Sequence, residues 1–129
     1  MLRFFHCLRP AASGGESVFA DGFAAAERLR SANPAAFERL ATTPVLHTDY
    51  APDWHLEASH PTLGLSPVDG GRLVRVAFNQ RTRDSWRQWS DWKGSPASAD
   101  HLAVDAFYDA LASFEEILER PADLLDIRL

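Results

Sequence analysis

Between residues 100 and 119 apolar side chains return every three or four positions: Val104, Phe107, Tyr108, Leu111, Phe114, Ile117 and Leu118. That spacing draws one apolar stripe along a helix running from about Asp100 to Glu119. Pro121 stops it, because a proline ring has no amide proton to continue the ladder. Two earlier helices announce themselves by their caps. Asp21 can accept from the unpaired first-turn amides of a helix beginning near Gly22, and Phe23, Ala26, Leu29 and Arg30 follow at helical spacing. Asn33-Pro34 is a second start, with Asn as cap and Pro at a position whose amide has no partner in any case. Phe37 and Leu40 share a face of that helix, and Thr42, Thr43 and Pro44 close it.

The other apolar positions follow strand patterns. Leu2 to Arg9, the small-residue turn Ala11 to Gly15, and Glu16 to Ala20 read as a strand, a loop and a returning strand. Val45 to Thr48, His55 to Ser59 and Arg72 to Asn79 are three further short strands. In the last, Leu73, Val74, Val76 and Phe78 are set against Arg72, Arg75 and Ala77. Asp69-Gly70-Gly71 before it is a tight turn, across which Thr62 to Ser66 is expected to pair. A Trp-rich loop runs from Asp84 to Ser98, and Ala122 to Leu129 alternates as a strand does. The expected class is α+β and β-rich. A complete domain rarely opens with a core strand at residue 2 and closes on an apolar strand at its last residue, and that final strand would lack its turn and partner. The chain therefore reads as a segment of something longer, with open edges that favour self-association, for instance as a homodimer.

Composition narrows the partners more than the fold. The chain has 129 residues, room for one domain, with 46% hydrophobic and 24% charged residues and a formal net charge of -5. Its Lys and Arg are scattered singly, which argues against nucleic acid, since phosphate binding needs a concentrated basic surface. No apolar run approaches membrane-spanning length, and the charge-interrupted N-terminus does not read as a signal peptide. Cys7 is the only cysteine, so no internal disulfide can form, and a reducing cytoplasm is the expected compartment.

Four stretches carry a resemblance. Phe4-Phe5-His6-Cys7-Leu8 looks like a strand that follows a metal-binding motif. Gly14-Gly15-Glu16-Ser17 with Asp21-Gly22-Phe23 looks like the next strand and helix entry. Val74-Arg75-Val76-Ala77-Phe78-Asn79 with Thr82-Arg83-Asp84 looks like a central strand and turn, and Phe107-Tyr108-Asp109-Ala110-Leu111 a late helix. In order and separation these resemble the γ-butyrobetaine and trimethyllysine dioxygenases of the taurine-dioxygenase-like (TauD/TfdA) family. The resemblance implies a partial double-stranded β-helix (jelly-roll) with helical insertions, and residues 1–129 as the central portion of one such domain, truncated at both ends. It implies Fe(II) and 2-oxoglutarate as cofactors and a small trimethylamino acid such as γ-butyrobetaine as the substrate to be hydroxylated. In the family a His-x-Asp/Glu pair and a distant His hold the iron, and an Arg beyond that His grips 2-oxoglutarate. Those signatures lie before the first matching strand and after the last. The chain alone is therefore expected to hold neither cofactor and to be inactive. The alternative is a non-enzymatic small-molecule-binding module on the same shell.

The candidate residues each have a plainer reading. Asn79 and Gln80 end the most convincing strand, where an amide can donate to a substrate carboxylate, as the resemblance implies; equally, a strand-terminal amide can satisfy neighbouring backbone. His47-Thr48-Asp49 has the spacing of two ligands on one strand face, with His55 and His60 as further nitrogens. It falls in the wrong place for the family's motif and is expected to be an exposed strand end. Arg83 is expected to pair with Asp84 or anchor backbone rather than meet a ligand. Trp86, Trp89 and Trp92 have faces suited to a trimethylammonium group, but are expected to pack. Cys7 is expected to be a buried structural residue, since His6 beside it points the other way. No catalytic or metal-ligating residue is assigned.

Overall fold

A computed structural model of the chain describes Phe4 and residues 6–9, 12–14, 19–84, 101–120 and 124–125. Helix α1 (Gly22–Ala32) begins where its cap foretold: Asp21 Oδ1 accepts from the amides of Phe23 and Ala24, each at 3.0 Å. Helix α2 (Pro34–Thr42) follows after one residue, and Asn33 Oδ1 accepts from Ala36 N at 3.1 Å with Pro34 in the first turn. Helix α3 (His101–Leu118) is the long stripe. The three pack on one another, and their inward residues Leu29, Leu40, Phe107 and Phe114 are the largest buried side chains, together with Leu63. Burying each such side chain is worth roughly 1.5–3 kcal/mol, so these contacts dominate the stability of the assembly. Phe78 stands edge-on to Phe114 at 5.6 Å and closes the cluster from the sheet side.

The strands form two-stranded antiparallel sheets. Strands β2 (Pro44–Ala51) and β3 (Trp54–Pro61) fold back over Pro52 and Asp53, in a register that runs from Pro44↔Pro61 to Ala51↔Trp54. Residues 82–84 lie along the other edge of β2: Thr48 N donates to Thr82 O at 2.8 Å and Asp84 N to Leu46 O at 2.9 Å, bridging His47 to Arg83. Strands β4 (Leu63–Leu65) and β5 (Leu73–Val76) pair across the Asp69-Gly70-Gly71 turn, as the sequence predicts. Gly70 and Gly71 have φ of 62° and 81°, a region that costs a side chain energy. Ser66 Oγ and Arg72 Nη2 both donate to Asp69 Oδ2 and lock the turn. Arg30 Nη2 donates to Gly71 O at 3.0 Å while its guanidinium covers the Phe37 ring, tying this hairpin to α1 and α2.

Several expectations are corrected. Strand β1 (Phe19–Ala20) pairs with β6 (Leu124–Leu125), and among the described residues it does not pair with the segment from Leu2 to Arg9. That segment forms no strand among its described residues. Phe4 and Leu8 are exposed, and Cys7, expected to be buried, is exposed too. Strand β5 is shorter than the alternation from Arg72 to Asn79, and Val74 on it is 45% exposed. The mixture of helices and sheets stands, but the described residues are organised around helices rather than β-rich. The strands add only Val45, Leu63 and Leu73 to the buried cluster among the described residues, because β4–β5 is short and β3 is exposed along most of its length.

Candidate functional site

The chain that leaves β5 carries the candidate amides straight into the turn beside β2. Asn79 and Gln80 are both exposed there. Asn79 Oδ1 accepts from Arg81 N at 3.0 Å, the backbone-satisfying role of a turn amide. Only the oxygen is used in that bond, and the amide nitrogen keeps its donors for another group. Gln80 Nε2 donates to Glu115 Oε1 on α3, which fixes the turn to the helix. The two residues are adjacent, but Gln80 is the one held by the fold.

Two residues further on, Thr82 and Arg83 join the face of the β2–β3 hairpin. His47 is half-buried, not exposed as its position at a strand end suggested. The register opposes Val45 and His60, so His60 sits diagonally from His47 on one sheet face. The two imidazoles stack, with centroids 4.7 Å apart and an interplanar angle of 18°. His47 Nδ1 lies 3.1 Å from Thr82 Oγ1. His60 Nδ1 lies 3.3 Å from Pro61 O. Burial lowers the His47 pKa below its usual 6.5, and the charges of His60, Arg83 and Arg75 lower it further. His55 and Asp49 do not join this pair. His55 points to the opposite face and meets Glu57 at 3.3 Å, while Asp49 is exposed.

Arg83 departs from its expected partnership. Neighbouring extended residues face opposite ways, so Asp84 lines a groove on the far side of the hairpin while Arg83 turns toward His47. Its guanidinium lies 4.9 Å above the ring centroid of Tyr108 on α3. Its Nη1 is buried and has no hydrogen-bond partner among the described residues. Arg75 approaches from β5, lying across Gly64: a Cβ on that glycine would stand 3.0 Å from Arg75 Cβ. The groove beyond Asp84, about 620 Å³, is lined by Thr48, Tyr50, Trp54, His55 and Glu57 and contains neither Asn79 nor Gln80. Trp86, Trp89 and Trp92 lie outside the described residues.

Sequence reasoning offered His60 only as a further nitrogen beside His47 and Asp49, and missed its stacking on His47. Its one available signal was the hairpin register: a two-residue turn at Pro52-Asp53 fixes His60 beside His47 before any tertiary contact is considered.

Comparison with known proteins matches residues 1–129 to the family described as taurine catabolism dioxygenase TauD, TfdA family. The chain is 34% identical over 87 residues to the γ-butyrobetaine dioxygenase of Homo sapiens, covering 65% of this chain and 22% of that protein. It is 40% identical over 82 residues to the γ-butyrobetaine dioxygenase of Pseudomonas sp. (strain AK-1), covering 59% and 20%. To the trimethyllysine dioxygenase of Meyerozyma guilliermondii it is 28% identical over 129 residues, covering 99% of this chain and 30% of the relative. The chain thus spans less than a third of the length of each of these relatives.

Proposed function

Since this chain belongs to the taurine catabolism dioxygenase TauD, TfdA family, we propose that it is the central portion of a 2-oxoglutarate-dependent oxygenase that hydroxylates a small trimethylamino acid of the γ-butyrobetaine type. The observation that carries this reading is the shared similarity to γ-butyrobetaine and trimethyllysine dioxygenases. The hairpins described above would then belong to a double-stranded β-helix, with the helices as insertions.

Fe(II) and 2-oxoglutarate are the groups the family implies. Among the described residues no three His, Cys, Asp or Glu side chains gather as an iron centre requires. His47 and Asp49 share a strand face, but His47 is engaged with Thr82 and His60. The described residues therefore do not fit the metal. The part of the reaction we assign to them is positioning of the substrate, and we propose that the 129 residues alone are inactive.

In that role Asn79 donates its amide N–H to the substrate carboxylate, while Gln80, braced on Glu115, holds the turn in place. The expected outcome in the active enzyme is that Asn79→Ala raises KM for γ-butyrobetaine about tenfold, the worth of one hydrogen bond to a charged group. KM for 2-oxoglutarate, followed by succinate release, should change less than about twofold. An unchanged γ-butyrobetaine KM would remove Asn79 from the substrate site. Turnover of sulfonates in place of trimethylamino acids would overturn the substrate class, and turnover or tightly bound iron in the 129-residue chain would overturn the inactivity.

A further inference from the structure

We propose that Arg83, Arg75 and the stacked His47–His60 pair form a binding site for a small carboxylate. The starting point is Arg83 Nη1, buried and without a hydrogen-bond partner among the described residues. An unmet N–H on a guanidinium costs more than a made one returns, so a fold does not bury it without a partner arriving from somewhere. Tyr108 holds the guanidinium plane from one side but supplies no oxygen toward it as a ring face.

The surroundings fit an anion. Two histidines from separate strands meet beside Arg83: His47 on β2, bridged to Arg83, and His60 on β3, stacked on His47 at 4.7 Å; Arg75 on β5 acts on His47 through its charge. Among the described residues, the groups that act on His47 electrostatically are His60, Arg83 and Arg75, and no carboxylate is among them. In a chain whose formal net charge is -5, this is a local concentration of the opposite sign. Like charges brought together repel, and an anion between them reverses the sign of that term. A planar guanidinium fork matches a carboxylate, and Thr82 Oγ1, already beside His47, adds a hydroxyl at the rim. The His47 imidazole, its pKa lowered, contributes no full charge until it is protonated, which favours a singly charged headgroup over a phosphate dianion.

This inference stands on the geometry and does not need the hydroxylase reading. Carboxylates are nevertheless present on both 2-oxoglutarate and γ-butyrobetaine, so the test must tell them apart. NMR of the 129-residue chain, observing the His47 and His60 ring protons, is titrated in parallel with 2-oxoglutarate, γ-butyrobetaine and acetate, with chloride and tetramethylammonium as controls. Saturable shifts of both rings with a carboxylate but not with the controls are expected. A tighter response to 2-oxoglutarate assigns the site to the cosubstrate, a tighter one to γ-butyrobetaine assigns it to the substrate, and equal responses leave a general carboxylate site. Arg83→Gln should weaken binding about tenfold or more, and Arg75→Gln about threefold. Binding should also tighten as pH falls, because the anion favours charged His47, which faces His60, Arg83 and Arg75. Shifts that never saturate, that chloride reproduces, or that persist unchanged in both arginine variants overturn the proposal. Should Arg83→Gln fail to fold, the wild-type titration and Arg75→Gln decide it.

Discussion

His47 shows how a single residue's setting differs from its sequence neighbourhood. It occupies a polar stretch, Thr48-Asp49-Tyr50, yet packs half-buried against His60 with Thr82 at its Nδ1. Its folded pKa lies below the unfolded value of 6.5, first through burial and then through His60, Arg83 and Arg75. The unfolded chain therefore binds the proton more readily than the folded one. The His47 contribution to stability is complete above about pH 6.5, declines as pH falls below that value, and levels off once pH drops under the depressed folded pKa. Chemical denaturation of the ligand-free chain between pH 5 and 8 should show this slope, and His47→Gln should reduce it. A slope that is identical in the variant would mean that other groups set it.

At the scale of elements, glycines decide how the β4–β5 hairpin meets its neighbours. Gly64 faces Arg75 across the ladder, and a Cβ there would stand 3.0 Å from Arg75 Cβ and 3.2 Å from its Nε. The first of these atoms is close to the backbone and cannot swing aside. Gly64→Ala is expected to cost on the order of 1–3 kcal/mol through overpacking and to move Arg75 away from His47. Gly71→Ala is different in kind: its neighbourhood is open, but φ of 81° strains any side chain, at about 1–2 kcal/mol. Denaturant midpoints of the two variants check the sizes, and the His47 ring shift separates them, since only the Gly64 change should move it. Such turn and cap positions were legible before folding. Asp21 and Asn33 act on amides, and Asp69 on the Ser66 hydroxyl and Arg72 guanidinium, all within three residues, so their sequence neighbours are also their physical partners.

For the whole molecule, stability rests on the contact between the helices and the sheet side. Phe114 is fully buried and meets Phe78 edge-on, so it joins α3 to the chain leaving β5. Phe114→Ala is expected to cost about 3–5 kcal/mol, a large part of the roughly 5–15 kcal/mol available to a small domain. A thermal melt should lose its cooperative transition or shift far downward. Val68→Ser, at a position 85% exposed, should leave the melt unchanged. Equal effects from both would show that the helices and hairpins do not share one core.

The sequence by itself determined the helices, the Asp69-Gly70-Gly71 turn, and the family, because caps, periodicity and motif order are encoded between near neighbours. It marked Asn79 and Gln80 but not that Gln80 is spent on Glu115, thirty-five positions away. Only the tertiary structure decided that Phe19–Ala20 pairs with Leu124–Leu125, that Cys7 is exposed, and that Arg83 lies opposite His47 and over Tyr108. The physical reason is the same in each case. Which face a strand turns inward, and what lies opposite it, depends on register and packing between elements that no local pattern specifies.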